Sequence, residues 1–257
     1  MAWIARFRFA ARAALVHLAL SMLVAASVAW LVFAVWYPAP FHEITGGRAL
    51  FLILMVVDVV CGPVLTLVLF DPAKSRFKWR MDLALIVLTQ LAALAYGLSQ
   101  VAAARPVFVA FEGDRFRLVQ ALDVDTSRLQ EAPAGLQSIG LGGPRVLGVH
   151  LAGSTDPDYL SSLQLSLQGL HPAFRPSRWR PYETQTSSVQ QALQSLKPLR
   201  EKNPERVSQL DAALKKAGLK DEDAGYLPLV REETTDWVAL VRRSDGQPFA
   251  YLHLDGW

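Results

Sequence analysis

Residues 49–70 read ALFLILMVVDVVCGPVLTLVLF, with one acid, Asp58, and one proline, Pro63. As a helix this stretch is about 33 Å long at about 1.5 Å per residue, which matches the hydrocarbon core of a bilayer. Two further apolar stretches flank it, residues 13–36 and residues 83–101. Everything after Arg105 is polar enough for a soluble domain. The expected organisation is a three-helix transmembrane domain over residues 1–104 and a soluble domain over residues 105–257.

The chain has 257 residues, of which 52% are hydrophobic, and the apolar excess lies in the first hundred. Its net charge is +3. Residues 1–104 hold 8 Lys/Arg against 4 Asp/Glu, whereas residues 105–257 hold 18 against 19. The positive excess therefore belongs to the membrane part, where it sets topology, and nucleic-acid binding has no support. The one cysteine, Cys61, lies inside the second apolar stretch. It has no disulfide partner within the chain and no metal-ligand spacing, and reads as a small packing residue.

Arg6, Arg8 and Arg12 precede the first apolar stretch. Ala-Ser-Val-Ala at 26–29 resembles a signal cleavage site, but the apolar run continues to Trp36 and is too long for a signal. We read it as a retained helix that ends at Trp36-Tyr37-Pro38, two aromatics suited to the headgroup level before helix-stopping prolines. The loop that follows holds one firm cation, Arg48; the next holds Lys74, Arg76, Lys78 and Arg80. The positive-inside rule then puts the N-terminus and second loop in the cytoplasm, and residues 105–257 outside it.

Asp58 is the anomaly, because an ionised acid near mid-bilayer costs about 2.5 to 3.5 kcal/mol. Two readings stand: the acid is protonated or hydrogen-bonded to Thr89 or Gln90 of the third span, or it meets a polar group on another membrane protein. Pro63 removes a helix hydrogen bond and is expected to kink the span, and Gly62 permits close approach of another helix. Asp58, Gly62 and Pro63 together form a candidate docking surface.

In the soluble part, residues 107–111 and 116–121 read as a hairpin around Glu112-Gly113-Asp114. Residues 123–144 read as irregular and 145–150 as extended. The glycines at 140, 142 and 143 read as an ordinary turn. Residues 156–167 and 184–199 are expected to be helices, and Asn203 and Gly218 the N-cap and end of another. Strands are expected at 226–231, 236–242 and 248–254, the last two joined by a turn at Ser244-Asp245-Gly246-Gln247. Between the helices, residues 171–183 mix Arg175, Arg178 and Arg180 with Phe174, Trp179 and Tyr182, and their prolines argue against regular structure. The segment reads either as a contact surface or as a loop packed over the core with its arginines solvated. The fold class is thus membrane-anchored α+β: three transmembrane helices, then an extracytoplasmic antiparallel sheet with packed helices.

No Gly-x-Ser-x-Gly, His-Glu-x-x-His or Walker loop occurs, and His150, His171 and His253 are scattered. Non-enzymatic action without a cofactor or bound metal is expected.

Several stretches, in order, resemble the type IV pilin accessory proteins of the TfpX/TfpZ type. They are Trp36-Tyr37-Pro38, Gly46-Gly47, Asp58-Val59-Val60-Cys61-Gly62-Pro63-Val64-Leu65-Thr66 and Gln90-Leu91-Ala92-Ala93-Leu94-Ala95-Tyr96-Gly97. Ala104-Arg105-Pro106-Val107 and Asp114-Arg115-Phe116 extend the match, and Arg180-Pro181-Tyr182-Glu183 adds a weaker one. The resemblance implies a Gram-negative inner-membrane factor with a periplasmic domain that assists assembly or surface display of a type IV pilin. Its implied partners are the pilin or the assembly platform, together with membrane lipid. Candidate contact residues are Asp58, Gly62, Pro63, Trp36, Tyr37, Arg178, Trp179, Arg180 and Tyr182, and the free amine of a mature pilin is a candidate partner for Asp58. The alternatives are a membrane sensor with a periplasmic domain and a small proton-coupled membrane protein using Asp58.

Overall fold

The computed structural model describes residues 2–69, 74–231 and 234–257, with side chains from residue 7 onward except at position 50. Phe70, Asp71, Pro72, Ala73 and the side chain of Arg6 lie outside the described residues. The chain divides into two compact units, one up to Ala104 and one from Arg105.

The first unit is helical. Helix α1 (Ala2–Trp30) continues as a π-helical segment, Leu31–Trp36, which closes with the Tyr37 N–H donating to the Val32 carbonyl at 2.7 Å. A short α2 (Phe41–Ile44) leads into α3 (Gly47–Leu69) and α4 (Arg76–Ala103). Three helices, Phe7–Trp36, Gly47–Leu69 and Arg76–Ala103, are long and apolar enough to cross a membrane. Helix α4 begins well before residue 83 because the Ser75 hydroxyl caps it, accepting from the Lys78 N–H at 3.4 Å. Helix α3 stays helical through Pro63 and packs against both α1 and α4, which make few direct contacts with each other.

Tyr37 knots the ends of the three helices together. It is fully buried, and its hydroxyl donates at 2.7 Å to the carbonyl of Val101, one of the last four residues of α4. Such carbonyls have no partner inside their own helix, so the phenol acts as a cap supplied from another helix. A Cβ at Gly47 would lie 2.6 Å from the Tyr37 ring, which explains the glycine at the start of α3.

The second unit carries one seven-stranded sheet in the order β4-β3-β1-β2-β5-β6-β7. Its strands are β1 (Pro106–Phe111), β2 (Phe116–Gln120), β3 (Arg145–Val149), β4 (Trp179–Arg180), β5 (Ala224–Arg231), β6 (Thr234–Arg242) and β7 (Pro248–Leu252). The sheet is mixed rather than antiparallel, because β1 pairs parallel with β3 and β2 parallel with β5. These two pairings join strands far apart in sequence, whereas the β1–β2, β5–β6 and β6–β7 pairs are antiparallel neighbours. Every residue of β1 and β2 is buried, as expected for strands paired on both edges and covered on both faces.

One core cluster gathers Phe108, Val119, Leu147 and Trp179. The other packs Leu199 and the Leu210/Leu214 pair against Tyr226, Val238 and Leu240. The helices that supply those leucines are α7 (Leu196–Lys202) and α8 (Val207–Ala217), the latter ending on left-handed Gly218 at φ 67°.

Four local expectations are corrected. Residues 184–199 form two helices, α6 (Thr186–Ala192) and α7, because Gln194 pairs through its backbone with Tyr226 of β5. The break also moves Pro198 from a helix interior to a first turn, where its missing N–H costs nothing. Asn203 does not cap the following helix; its side chain exchanges hydrogen bonds with the Asp255 backbone and donates to the Leu199 carbonyl. Residues 171–183 contain two 3-10 turns, β4 and the start of a third 3-10 turn at Tyr182, despite their prolines. Helix α5 (Tyr159–Leu167) starts three residues later than expected, because Asp156 accepts from the Gly153 N–H while Asp158 pairs with Arg178.

Candidate functional site

Within the helical unit, each long helix carries a polar residue at its midpoint. Asp58 is eleven residues from either end of Gly47–Leu69. Ser21 and Gln90 stand within a residue of the centres of Phe7–Trp36 and Arg76–Ala103. All three line one cavity of about 180 Å³, together with His17, Leu20, Val24, Val87, Leu91 and Leu94.

The hydrogen bonds are unevenly shared. His17 Nδ1 and Thr66 Oγ1 are 2.6 Å apart and tie α1 to α3. The Gln90 amide donates at 2.9 Å to the backbone carbonyl of Asp58, not to its carboxylate. Thr89 is exposed. The expected bond from Asp58 to Thr89 or Gln90 is therefore replaced by one to the main chain. Asp58 as a residue is 8% exposed and Ser21 6%, yet neither side chain has a hydrogen-bond partner among the described residues. His17 lines the same cavity as Asp58.

His17 is not marked out in the sequence because it lies inside the apolar run of residues 13–36. The available signal was its spacing, since His17 and Ser21 at i and i+4 share one helix face. Gly62 is buried against Gln90, so its flat surface serves packing of α3 on α4. Cys61 is exposed rather than packed. Trp36 is buried with Tyr37 inside the unit. Pro63 is half-buried.

A second group of candidate residues lies in the sheet unit. Trp179 is fully buried, packs at 4.8 Å between ring centroids against Phe108 with the rings tilted by 59°, and donates through its indole N–H to the Ala173 carbonyl at 2.7 Å. Tyr182 donates to the Gly246 carbonyl, and burial pushes its phenol well above the usual range. Arg178 is buried beside Asp158; Arg180 bends back onto the carbonyls of Ser177 and Trp179. The segment is thus packed over the core, with its arginines paired rather than solvated.

Under it lies the ion pair of Glu112 and Arg117 at 2.8 Å, whose side chains are 7% and 10% exposed. Glu112 also accepts from the Ala173 N–H at 3.3 Å. Burial, and then the charge of Arg117, hold His171 below its ordinary value. Helix α5 is inverted over this region: Ser162 faces inward and receives Arg175 at 2.7 Å, while Leu160, Leu163 and Leu167 face outward. Among the described residues, no group of three or more His, Cys, Asp and Glu has metal-binding geometry.

A family model described as "Fimbrial assembly protein FimB" matches residues 5–46, which carry His17, Ser21, Trp36 and Tyr37. The protein named "Fimbrial assembly protein, serogroup I" of Dichelobacter nodosus is 33% identical over 243 residues, 93% of each chain. The chain belongs to the fimbrial assembly protein family. The serogroup E1 member from the same organism is 32% identical over 240 residues, again 93% of each chain. The member from serogroups C1 and C2 is 42% identical over 127 residues, 49% of this chain and 97% of its own length. No solved structure matches.

Proposed function

We propose that this protein is a non-enzymatic inner-membrane accessory factor of the TfpX/TfpZ type. It assists type IV pilin assembly or surface display by contact with the pilin or the assembly platform. The observation that carries this reading is similarity to a fimbrial assembly protein over 93% of both chains, so that it spans both units. The helices supply a membrane anchor of sufficient length. Arg8 and Arg12, the single Arg48, and then Lys74, Arg76, Lys78 and Arg80 support a cytoplasmic N-terminus and a periplasmic sheet unit.

A second reading, proton coupling through Asp58, is favoured by His17 and Asp58 sharing one cavity. Substituting Asp58→Asn separates the two, since the amide keeps an acceptor oxygen but cannot titrate. The test of the main reading is deletion of the gene, scored as surface fimbriae and twitching against total pilin. Loss of surface fimbriae with pilin still present is expected; normal fimbriation refutes the reading.

A further inference from the structure

The cavity at the helix midpoints does not end there. A second cavity of about 420 Å³ is lined by Arg12, Ala13, Val16, His17, Leu20, Thr66, Trp79, Leu83 and Val87. The two share His17, Leu20 and Val87, so they form one groove between α1 and α4, floored by α3. Along α4 the groove runs from Leu94 to Trp79, about 22 Å at about 1.5 Å per residue. Its walls are mostly leucine and valine. This shape follows from α1 and α4 each packing on α3 with little contact between themselves.

The groove carries Arg12 at one end and the His17–Thr66 hydrogen bond along its length, and its remaining polar groups meet near the helix midpoints. There Asp58 and Ser21, residues 8% and 6% exposed, have no side-chain hydrogen-bond partner among the described residues. His17, Thr66 and Gln90 are already engaged. A lipid chain in the groove would set methylenes against a carboxylate, which strongly disfavours the ionised form. Intramembrane acids instead face bundle interiors or aqueous cavities and pair there. A groove of this length, with an acceptor halfway across the membrane, fits a helix that brings its own donor.

We propose that the groove between α1 and α4 receives a membrane-spanning helix of a partner protein, which places a hydrogen-bond-donating side chain or amine opposite Asp58. The assignment rests on the membrane-embedded reading of the helical unit and moves the docking face away from Gly62, which Gln90 already fills. The van der Waals contact comes from Leu20, Val87 and Leu91, and the hydrogen bond to Asp58 sets the depth of the incoming helix.

The test is photo-crosslinking of the full chain in native membranes. A benzophenone amino acid replaces Leu20, Val87 or Leu91 in the groove, or Ile53 or Val60 on the exposed surface of α3 as controls. Groove positions are expected to give an adduct whose mass spectrum maps to an apolar segment of another protein, with a Lys, Arg, His, Ser, Thr or terminal amine at that depth. Replacing Asp58→Leu, at unchanged protein level, is expected to cut adduct yield about tenfold, as loss of one charge-assisted hydrogen bond implies. Asp58→Asn keeps an acceptor but not the charge, and its adduct yield is expected to fall between wild type and Asp58→Leu.

Equal yields at groove and control positions, adducts only to lipid or to a second copy of this chain, or an adduct unaffected by Asp58→Leu each overturn the proposal. A partner unrelated to fimbriae leaves the docking groove standing and removes the fimbrial reading. Fimbriae lost on gene deletion without any groove adduct remove the groove alone.

Discussion

Replacing Glu112 by Gln probes the buried charge beneath the 171–183 segment. Glu112 and Arg117 are 2.8 Å apart with side chains 7% and 10% exposed. Two unit charges about 4 Å apart at an effective dielectric near 20 attract by about 4 kcal/mol, offset in the wild type by desolvation of both groups. The glutamine has nearly the same shape but leaves the Arg117 charge buried without a counter-charge, a loss worth about 3–5 kcal/mol. It also replaces the anion that receives the Ala173 N–H, loosening the turn that holds Trp179. For a unit of this size each kcal/mol lowers the melting temperature by about 2–4 °C, so the variant should melt about 6–20 °C lower. The assay is thermal unfolding of the full chain in detergent, followed by hydrogen exchange at β1, β2 and β4. The double variant Glu112→Leu with Arg117→Met removes both charges and should recover at least half of the loss. A single variant within 1 kcal/mol of wild type, or a double variant no better than the single, would refute the argument.

Three further outcomes follow from the same geometry. His171 is held below its ordinary value of 6.5, so the unfolded chain takes up its proton first as pH falls. Stability from this site should be complete above about pH 6.5 and decline below it; hydrogen exchange at β4 should show the decline, and His171→Gln should flatten it. Tyr37→Phe removes the cap on the Val101 carbonyl, costing about 1 kcal/mol and speeding exchange at the end of α4 about fivefold, with the sheet unit unchanged. Trp179→Ala empties a fully buried site and should cost about 3–5 kcal/mol, releasing β4 from the sheet edge; intact β4 protection would contradict it.

Much of this architecture was legible locally. The three apolar stretches and the hairpin around Gly113 declare themselves by length, composition and turn chemistry, all properties of neighbouring residues. The parallel pairings of β1 with β3 and β2 with β5 do not, because nothing near Phe108 or Phe116 encodes which distant strand adjoins it. Tertiary pairing also broke the helix expected at 184–199, when the backbone of Gln194 bonded Tyr226 instead of continuing the turn. At the candidate site, Asp58 stood out in the sequence because its cost in an apolar run is large. His17 and Ser21 did not, since their meaning depends on α1 lying beside α3. Within the chain, the arginines and aromatics at 171–183 make their contacts inside the sheet unit. Composition separates protein–protein contact from internal packing poorly when the same side chains suit both.

The most direct measurement of the central claim is surface fimbriation in a strain whose only copy of this protein carries Asp58→Leu. Membrane levels of the protein and of pilin must match wild type. A docking groove whose depth marker is Asp58 predicts surface fimbriae falling toward the level of the deletion strain, with Asp58→Asn between wild type and Asp58→Leu. Wild-type fimbriation in the Asp58→Leu strain would contradict the account.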